Sequence, residues 1–243
     1  MNHEHLYSIG EVARRLGVSH STLRRWHADG TLRASLVSGG GHRYNSASDL
    51  ERHVRGLAGI AREWATAASA EAPAPDFYCP SKDHFKTRLD RMEQALDEPV
   101  PSLQDLGRLA VALAGEIGNN AFDHNIGNWP DVRGAFFAYD LRKHLVVIAD
   151  RGQGILATLR RVRPELATDR DALRVAFTEV VTGRAPEQRG NGLKFVRSVV
   201  AMAPIEVLFQ SGRAVVRLHP KDRDLHVVDA ADEVRGCLAV IQF

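Results

Sequence analysis

Three short fragments, in a fixed order, constrain this chain most. Glu116-Ile-Gly-Asn-Asn120 comes first. Asp150-Arg-Gly-Gln-Gly154 follows directly on the apolar run Leu145-Val-Val-Ile-Ala149, and Gly190-Asn-Gly192 then precedes the apolar stretch that begins at Leu193. Each fragment alone is weak: a polar pair on a helix is usually a solvated face, and Asp-x-Gly-x-Gly is as often a simple turn. In this order they read as a helix bearing a Glu/Asn pair, a strand ending in Asp-x-Gly-x-Gly, and a Gly-x-Gly entry to a helix. That layout suits a nucleotide, with ATP the leading ligand.

The rest of the composition is that of a globular protein, and 243 residues hold a small domain plus a medium one. The formal net charge of +2 is mild, so a nucleic-acid role must rest on local charge. Residues 1–54 carry seven Arg against five acidic residues and no Lys. Cys79 and Cys237 lie far apart with no Cys-x-x-Cys or His/Cys cluster, which argues against a disulfide framework or a zinc site. The start of the chain has no basic region followed by an apolar one, and the runs Leu109 to Ala114 and Leu145 to Ala149 are too short to cross a bilayer. A reducing cytoplasm without a membrane anchor is expected.

Along the chain, residues 6–54 read as short helices and turns, and Leu50 to about Ala68 as a longer helix. Ser69-Ala-Glu-Ala-Pro-Ala-Pro75 reads as a linker. The expected domains are therefore 1–54, a helix and linker at 55–76, and 77–243 with its core at about 103–243. Phe85, Leu89, Met92 and Leu96 recur at helical spacing within Lys82 to Leu96, and Leu103 to His124 reads as a second long helix. Strands are expected at Gly134 to Tyr139, Leu145 to Ala149, Ile205 to Gln210, Ala214 to Leu218 and Leu238 to Phe243. The expected class is α+β, with helices over a mixed, largely antiparallel sheet.

In the first module, Ser8-x-x-Glu11 is a capping box, with Val12, Ala13 and Leu16 on the buried face of its helix and Gly17 in the turn. Ser19 caps a second helix that buries Leu23 and Trp26 and can present Ser21, Thr22, Arg24 and Arg25 to phosphates and base edges in a major groove. Ser38-Gly-Gly-Gly-His-Arg-Tyr44 permits a sharp hairpin offering His42, Arg43 and Tyr44 to a backbone or minor groove. The alternative is a small helical domain with an arginine-rich solvated face. Residues 7–53 resemble the MerR/excisionase-type winged helix-turn-helix, through Tyr7-Ser-Ile-Gly-Glu-Val-Ala, Thr22-Leu-Arg-Arg-Trp26 and the Gly-His-Arg-Tyr44 wing. The chain departs from MerR regulators at Trp26-His27, where they usually have a Tyr-Glu pair. The resemblance implies double-stranded DNA as partner and a homodimer. Leu50, Val54, Leu57, Ala61 and Trp64 would then mark either a dimer helix or a helix folded back on its own domain.

In the second module, Glu116 and Asn120 project from one helical face with His124 a turn further on. Asn120 can ligate Mg²⁺ on the phosphates, and Glu116 can act as a catalytic base. Asp150 can accept from an adenine amino group while Gly152 and Gly154 let the backbone approach base and sugar. Gly190, Gly192 and Leu193 open a helix whose first amides favour phosphate, and Lys194 either adds charge there or is solvated. Glu116-x-x-x-Asn120-Ala-x-x-His124, Asp150-x-Gly-x-Gly154 and Gly190-x-Gly192-Leu together resemble the N, G1 and G2 boxes of the GHKL superfamily, the gyrase, Hsp90, histidine-kinase and MutL ATPases. The resemblance implies a Bergerat-type α/β sandwich, with ATP and Mg²⁺ under a mobile lid at about 155–189. Cys237 stands where many members have threonine, and a thiol is a weak donor. Two functions follow: a DNA-binding transcription regulator whose GHKL domain binds and in one form hydrolyses ATP, or an anti-sigma-like serine/threonine kinase or ATPase acting on a partner protein. A fold that keeps the glycines without binding nucleotide is the plain alternative, and enzymatic activity stays open.

Overall fold

A computed structural model describes residues 5–16, 19–29, 32–96, 101–179, 192–222 and 224–243. They divide into two compact units, Met1–Ile60 and Ala61–Phe243.

In the first unit, β1 (Leu6–Ser8), α1 (Ile9–Leu16), α2 (His20–Asp29), β2 (Leu36–Val37) and β3 (Arg43–Ser46) lead into α3 (Ala47–Thr66). Ser8 starts α1 with the carboxylate half of a capping box. Its N–H and its Oγ both donate to Glu11 Oε2 at 2.8 Å. Those bonds hold the Glu11 carboxyl below its ordinary range. Val12, Ala13, Leu23, Leu32 and Leu50 form the core, with Tyr7, Ile9 and Trp26 packed against it. The side chain of Leu16, and Gly17, lie outside the described residues. The strands pair antiparallel in the order β1-β3-β2. Gly41, at φ 77, turns the β2–β3 hairpin, and Ser38 closes it by donating from its N–H to His42 O and accepting on its own O from Gly41 N–H, both at 2.9 Å.

The second unit is built on an antiparallel sheet whose order is β4 (Tyr78–Cys79), β5 (Ala135–Asp140), β6 (Leu145–Asp150), β8 (Val227–Gln242) and β7 (Glu206–Leu218). The mixed pairing expected from sequence is corrected here: every pairing in this sheet is antiparallel among the described residues. The stretches Ile205 to Gln210 and Ala214 to Leu218 are one strand, because register shifts at Ser211/Gly212 and Gly212/Ala214 bend β7 without ending it. Helices α4 (Lys82–Ala95), α5 (Pro101–Asp123), α7 (Asp169–Thr178) and α8 (Gly192–Met202) join the sheet in one core. Phe85, Ile117, Phe177 and Val196 meet Phe137, Ile148, Phe209 and Ala239 there. Apolar residues alternate along β5 and β6, so Phe136, Val147 and Ala149, all buried, point to the opposite face of the sheet.

That opposite face explains the segment read as a linker. Trp64 and Phe77 place their rings 6.5 and 5.1 Å from Phe136. Trp64 Nε1 donates to Glu71 O at 2.9 Å, and Arg88 donates to Pro75 O and Asp76 O. Residues 69–75 are thus tied to the second unit, and the boundary between units falls earlier, at Ile60/Ala61. The stripe from Leu50 to Trp64 is not one straight helical face either. Gly56 breaks α3 at φ 65, ψ 174, Leu50 lies in the first core, and Ala61 and Trp64 are buried. The side chain of Val54 lies outside the described residues.

The expected lid is also revised. Between β6 and residue 179 the chain forms α6 (Gly154–Leu159) and α7, and α7 buries Ala172, Leu173 and Phe177 with the Phe177 ring 5.5 Å from Phe209. A helix so packed is part of the core. Residues 180–189 of the expected lid lie outside the described residues.

Candidate functional site

Asp150, a residue only 3 % exposed, ends β6 with no Arg or Lys paired with it among the described residues. Its Oδ1 accepts from Gly152 N–H at 2.8 Å and from Asn125 Nδ2 at 3.3 Å. Burial pushes the carboxyl up to about 7, against the Gly152, Asn125 and Cys237 donors that favour the ionised form. The backbone around it must be bare. A Cβ at Gly236, which sits at φ 68, would lie 2.3 Å from Asp150 Oδ1, and one at Gly152 would lie 2.0 Å from Asn125 Nδ2. Cys237 is Asp150's register partner across β6 and β8, and burial, the charge of Asp150 second, raises its thiol well above the ordinary value.

Asn125 and Ser211 complete this corner and had been missed from the sequence. Asn125 Nδ2 also donates to Ala121 O at 2.8 Å, while its Oδ1 accepts from Gln153 N–H at 2.9 Å, so it clamps the end of α5 to the turn after Asp150. Ser211 Oγ donates to Gly236 O at 3.0 Å and accepts from Ile155 N–H at 2.9 Å. The one available signal was Asn125 lying a helical turn beyond Ala121. Nothing in the sequence aligns Ser211 with Gly236.

The cavity beside Asp150 is lined by Asn120, Gly154, Leu193, Phe209 and Cys237 among others, and holds about 30 Å³. That is room for on the order of one water molecule, so any larger occupant must displace a wall. Glu116 and Asn120 lie one turn apart on α5. Gly192 opens α8 against them, where a Cβ would stand 2.9 Å from Glu116 Oε2 and 3.3 Å from Asn120 Nδ2. Asn119 Oδ1 is buried with no hydrogen-bond partner among the described residues. Leu193 is buried in the core and Lys194 is half-buried. Gly190 lies outside the described residues. No group of three or more His, Cys, Asp or Glu among the described residues is placed to hold a metal ion.

Arg151, an unspecified position in the sequence motif, is fully buried. Next to Asp150 but on the other side of the chain, its Nη2 donates to Asp131 Oδ2 at 2.6 Å and to Ala67 O at 2.9 Å. Its Nη1 donates to Trp64 O, and its guanidinium lies 5.8 Å from the Trp64 ring centroid. Although burial of Asp131 opposes it, the hydrogen bonds from Arg151 and Val132 and the charges of Arg151 and Arg235 hold that carboxyl below its ordinary value.

In the first unit, Ser21, Arg24 and Arg25 are exposed on α2, and His42 and Arg43 are exposed on the β2–β3 hairpin. Tyr44 is half-buried, its backbone paired with Ser8 and Leu36. The side chain of Thr22 lies outside the described residues. A helix with exposed arginines and a hairpin with an exposed His-Arg tip have the form of a winged helix-turn-helix. Residues 8–44 match the model of the MerR family regulatory protein. This segment is a MerR-type helix-turn-helix domain. The MerR domain supports a DNA-binding transcription regulator. Comparison of the chain with curated proteins and with solved structures finds no match. No described helix is long and apolar enough to cross a membrane.

Proposed function

We propose that this DNA-binding regulator senses ATP through its second unit, with nucleotide binding changing how the MerR domain, as a homodimer, engages its operator. The observation that carries this is the Asp150 carboxylate, buried without a cation at a strand end and facing a cavity bordered by Asn120 and Gly154. An ionised carboxylate offers about four acceptor positions, more than Gly152, Asn125 and Cys237 fill, and the amino group of adenine is a donor suited to one left over. Asn120 would then ligate Mg²⁺, and Gly192 with the first amides of α8 would receive phosphate.

Mg-ATP at a hundred times its Kd is expected to stabilise the chain by roughly 2.7 kcal/mol, read as a thermal shift. Mg-GTP, which offers a carbonyl where adenine has its amino group, should give little. Asn120→Ala should weaken the ATP shift and remove its dependence on Mg²⁺. Equal shifts with both nucleotides, or none with either at millimolar concentration, would sink the adenine assignment. An operator footprint that ATP, ADP and Asn120→Ala all leave unchanged would remove the coupling to DNA.

A second function, a serine/threonine kinase or ATPase acting on a partner protein, is favoured by Glu116, which is exposed and one turn from Asn120 beside Gly192. There it can take a proton from an attacking water or hydroxyl. Labelled ATP should then give ADP or a labelled partner, and Glu116→Gln should lower the rate by about 10²-fold or more. Turnover at background level in both proteins would leave a binding role alone.

A further inference from the structure

A buried polar network lies inside the MerR domain, apart from its DNA-facing residues. His27, near the end of α2, stands with Nε2 3.0 Å from Asn45 Oδ1 on β3. Asn45 is fully buried, and its Nδ2 donates to Arg33 O at 2.7 Å. A carbonyl can only accept, so this bond fixes the orientation of the amide and leaves Oδ1 towards His27. The imidazole therefore carries its proton on Nε2 and donates. Its Nδ1 is buried with no hydrogen-bond partner among the described residues, so the ring makes the Asn45 bond while its other nitrogen is left without one there.

Asn45 also sits in a decisive place for the hairpin. It lies two residues beyond Arg43 on β3, the middle strand of the three-stranded sheet, where Arg43 pairs in register with Val37. The base of the hairpin is held on its other side as well: Ser46 N–H donates to Ser35 Oγ at 2.7 Å, Ser35 Oγ donates to Asp49 Oδ2, and Ser35 N–H donates to Tyr44 O at 2.8 Å. The bond to Asp49 joins the hairpin to the start of α3. The bond from His27 joins it, side chain to side chain, to the helix carrying Arg24 and Arg25.

We propose that His27 is a positioning residue for DNA binding: by donating to Asn45 it sets the wing, and with it His42 and Arg43, against α2, so that helix and wing meet the duplex together. The proposal rests on DNA binding by the MerR domain.

The test uses the full chain and a duplex of random sequence, with affinity measured across a salt series for wild type, His27→Ala, His27→Gln, Arg43→Ala and the His27→Ala/Arg43→Ala double variant. His27→Ala should weaken binding about ten-fold, the scale of one lost buried hydrogen bond. It should also flatten the dependence of log K on log salt by about one phosphate contact, as Arg43→Ala does. The double variant should be little weaker than either single one, because both remove the same wing contact. His27→Gln, whose amide N–H can also donate to Asn45 Oδ1, should bind within about three-fold of wild type, which separates positioning from a general loss of fold. Additive losses in the double variant, His27→Gln as weak as His27→Ala, or His27→Ala binding like wild type would each overturn the proposal. A wild-type chain that does not bind duplex DNA at any salt would instead remove the DNA-binding function, and the proposal with it.

Discussion

Arg151→Met is expected to destabilise the second unit by roughly 3–5 kcal/mol, the usual cost of stranding the partners of a buried charge. Methionine keeps much of the side chain's length against Trp64 but removes every donor. Asp131 then loses its paired guanidinium, and the carbonyls of Trp64 and Ala67, which Arg151 now satisfies, are left in a buried setting. Urea unfolding of the two proteins measures the difference. Asp131→Asn should cost less, because Arg151 keeps both carbonyls and Asp131 is 24 % exposed. The pair also adds an acid dependence: the Asp131 carboxyl lies below its ordinary 3.8 in the folded chain, so its contribution is present above that value and is lost as pH falls through the folded one. Arg151→Met should flatten that acid limb. A variant within about 0.5 kcal/mol of wild type would show that the carbonyls are rehydrated and the clamp is idle.

Asp150→Asn is expected to act in two directions at once. The carboxyl is raised from 3.8 to about 7 in the folded chain. A raised folded value means that the native state holds the proton more tightly than the unfolded one. Stability is then greatest below the unfolded value and is lost as pH rises through about 7. Above that pH the buried charge costs the fold roughly 4 kcal/mol. Asparagine keeps an oxygen for Gly152 N–H and Asn125 but places an NH₂ where the second carboxylate oxygen was, at about 1–3 kcal/mol if unpaired. The net expectation is a variant more stable than wild type by roughly 1–3 kcal/mol at pH 8 and no more stable at pH 5. On the proposed function the same change removes the acceptor for the adenine amino group, so the ATP thermal shift should vanish while the empty protein gains stability. An ATP shift of full size in Asp150→Asn would end the adenine role of Asp150, and a variant with the wild-type pH profile would end the buried-charge account.

The elements that sequence reading found best are those whose apolar spacing survives in the folded chain. Phe85 and Met92 are buried at the helical spacing that marks α4, and Val146 and Ile148 alternate with Val147 on the two sides of β6. Ser8 and Glu11, three residues apart, form the carboxylate half of a capping box because cap geometry is local. Polar strands fared worse. Val228 to Arg235, most of it exposed apart from Val234, extends β8 well beyond the apolar stretch at Leu238, because ladder hydrogen bonds to β7 hold it more than burial of its side chains. The prolines of residues 69–75 read as a linker, and only the apolar residues on the second face of β5 and β6 reveal why this stretch lies against the sheet.

The sequence by itself determined the local frame of this protein: the caps, the glycine turn of the wing, the helical stripes, the strand that ends in Asp150, and the MerR-type segment at 8–44. Such features are set within a few residues, by backbone freedom and by the period of apolar side chains. Tertiary structure decided which distant groups meet. Asn125 and Gly236 enclose Asp150, Ser211 joins two strands, Arg151 spans from the sheet to the carbonyls of Trp64 and Ala67, and His27 reaches Asn45. Those pairings are not periodic. They follow from polar groups that burial has taken away from water and that must find partners wherever the fold brings them.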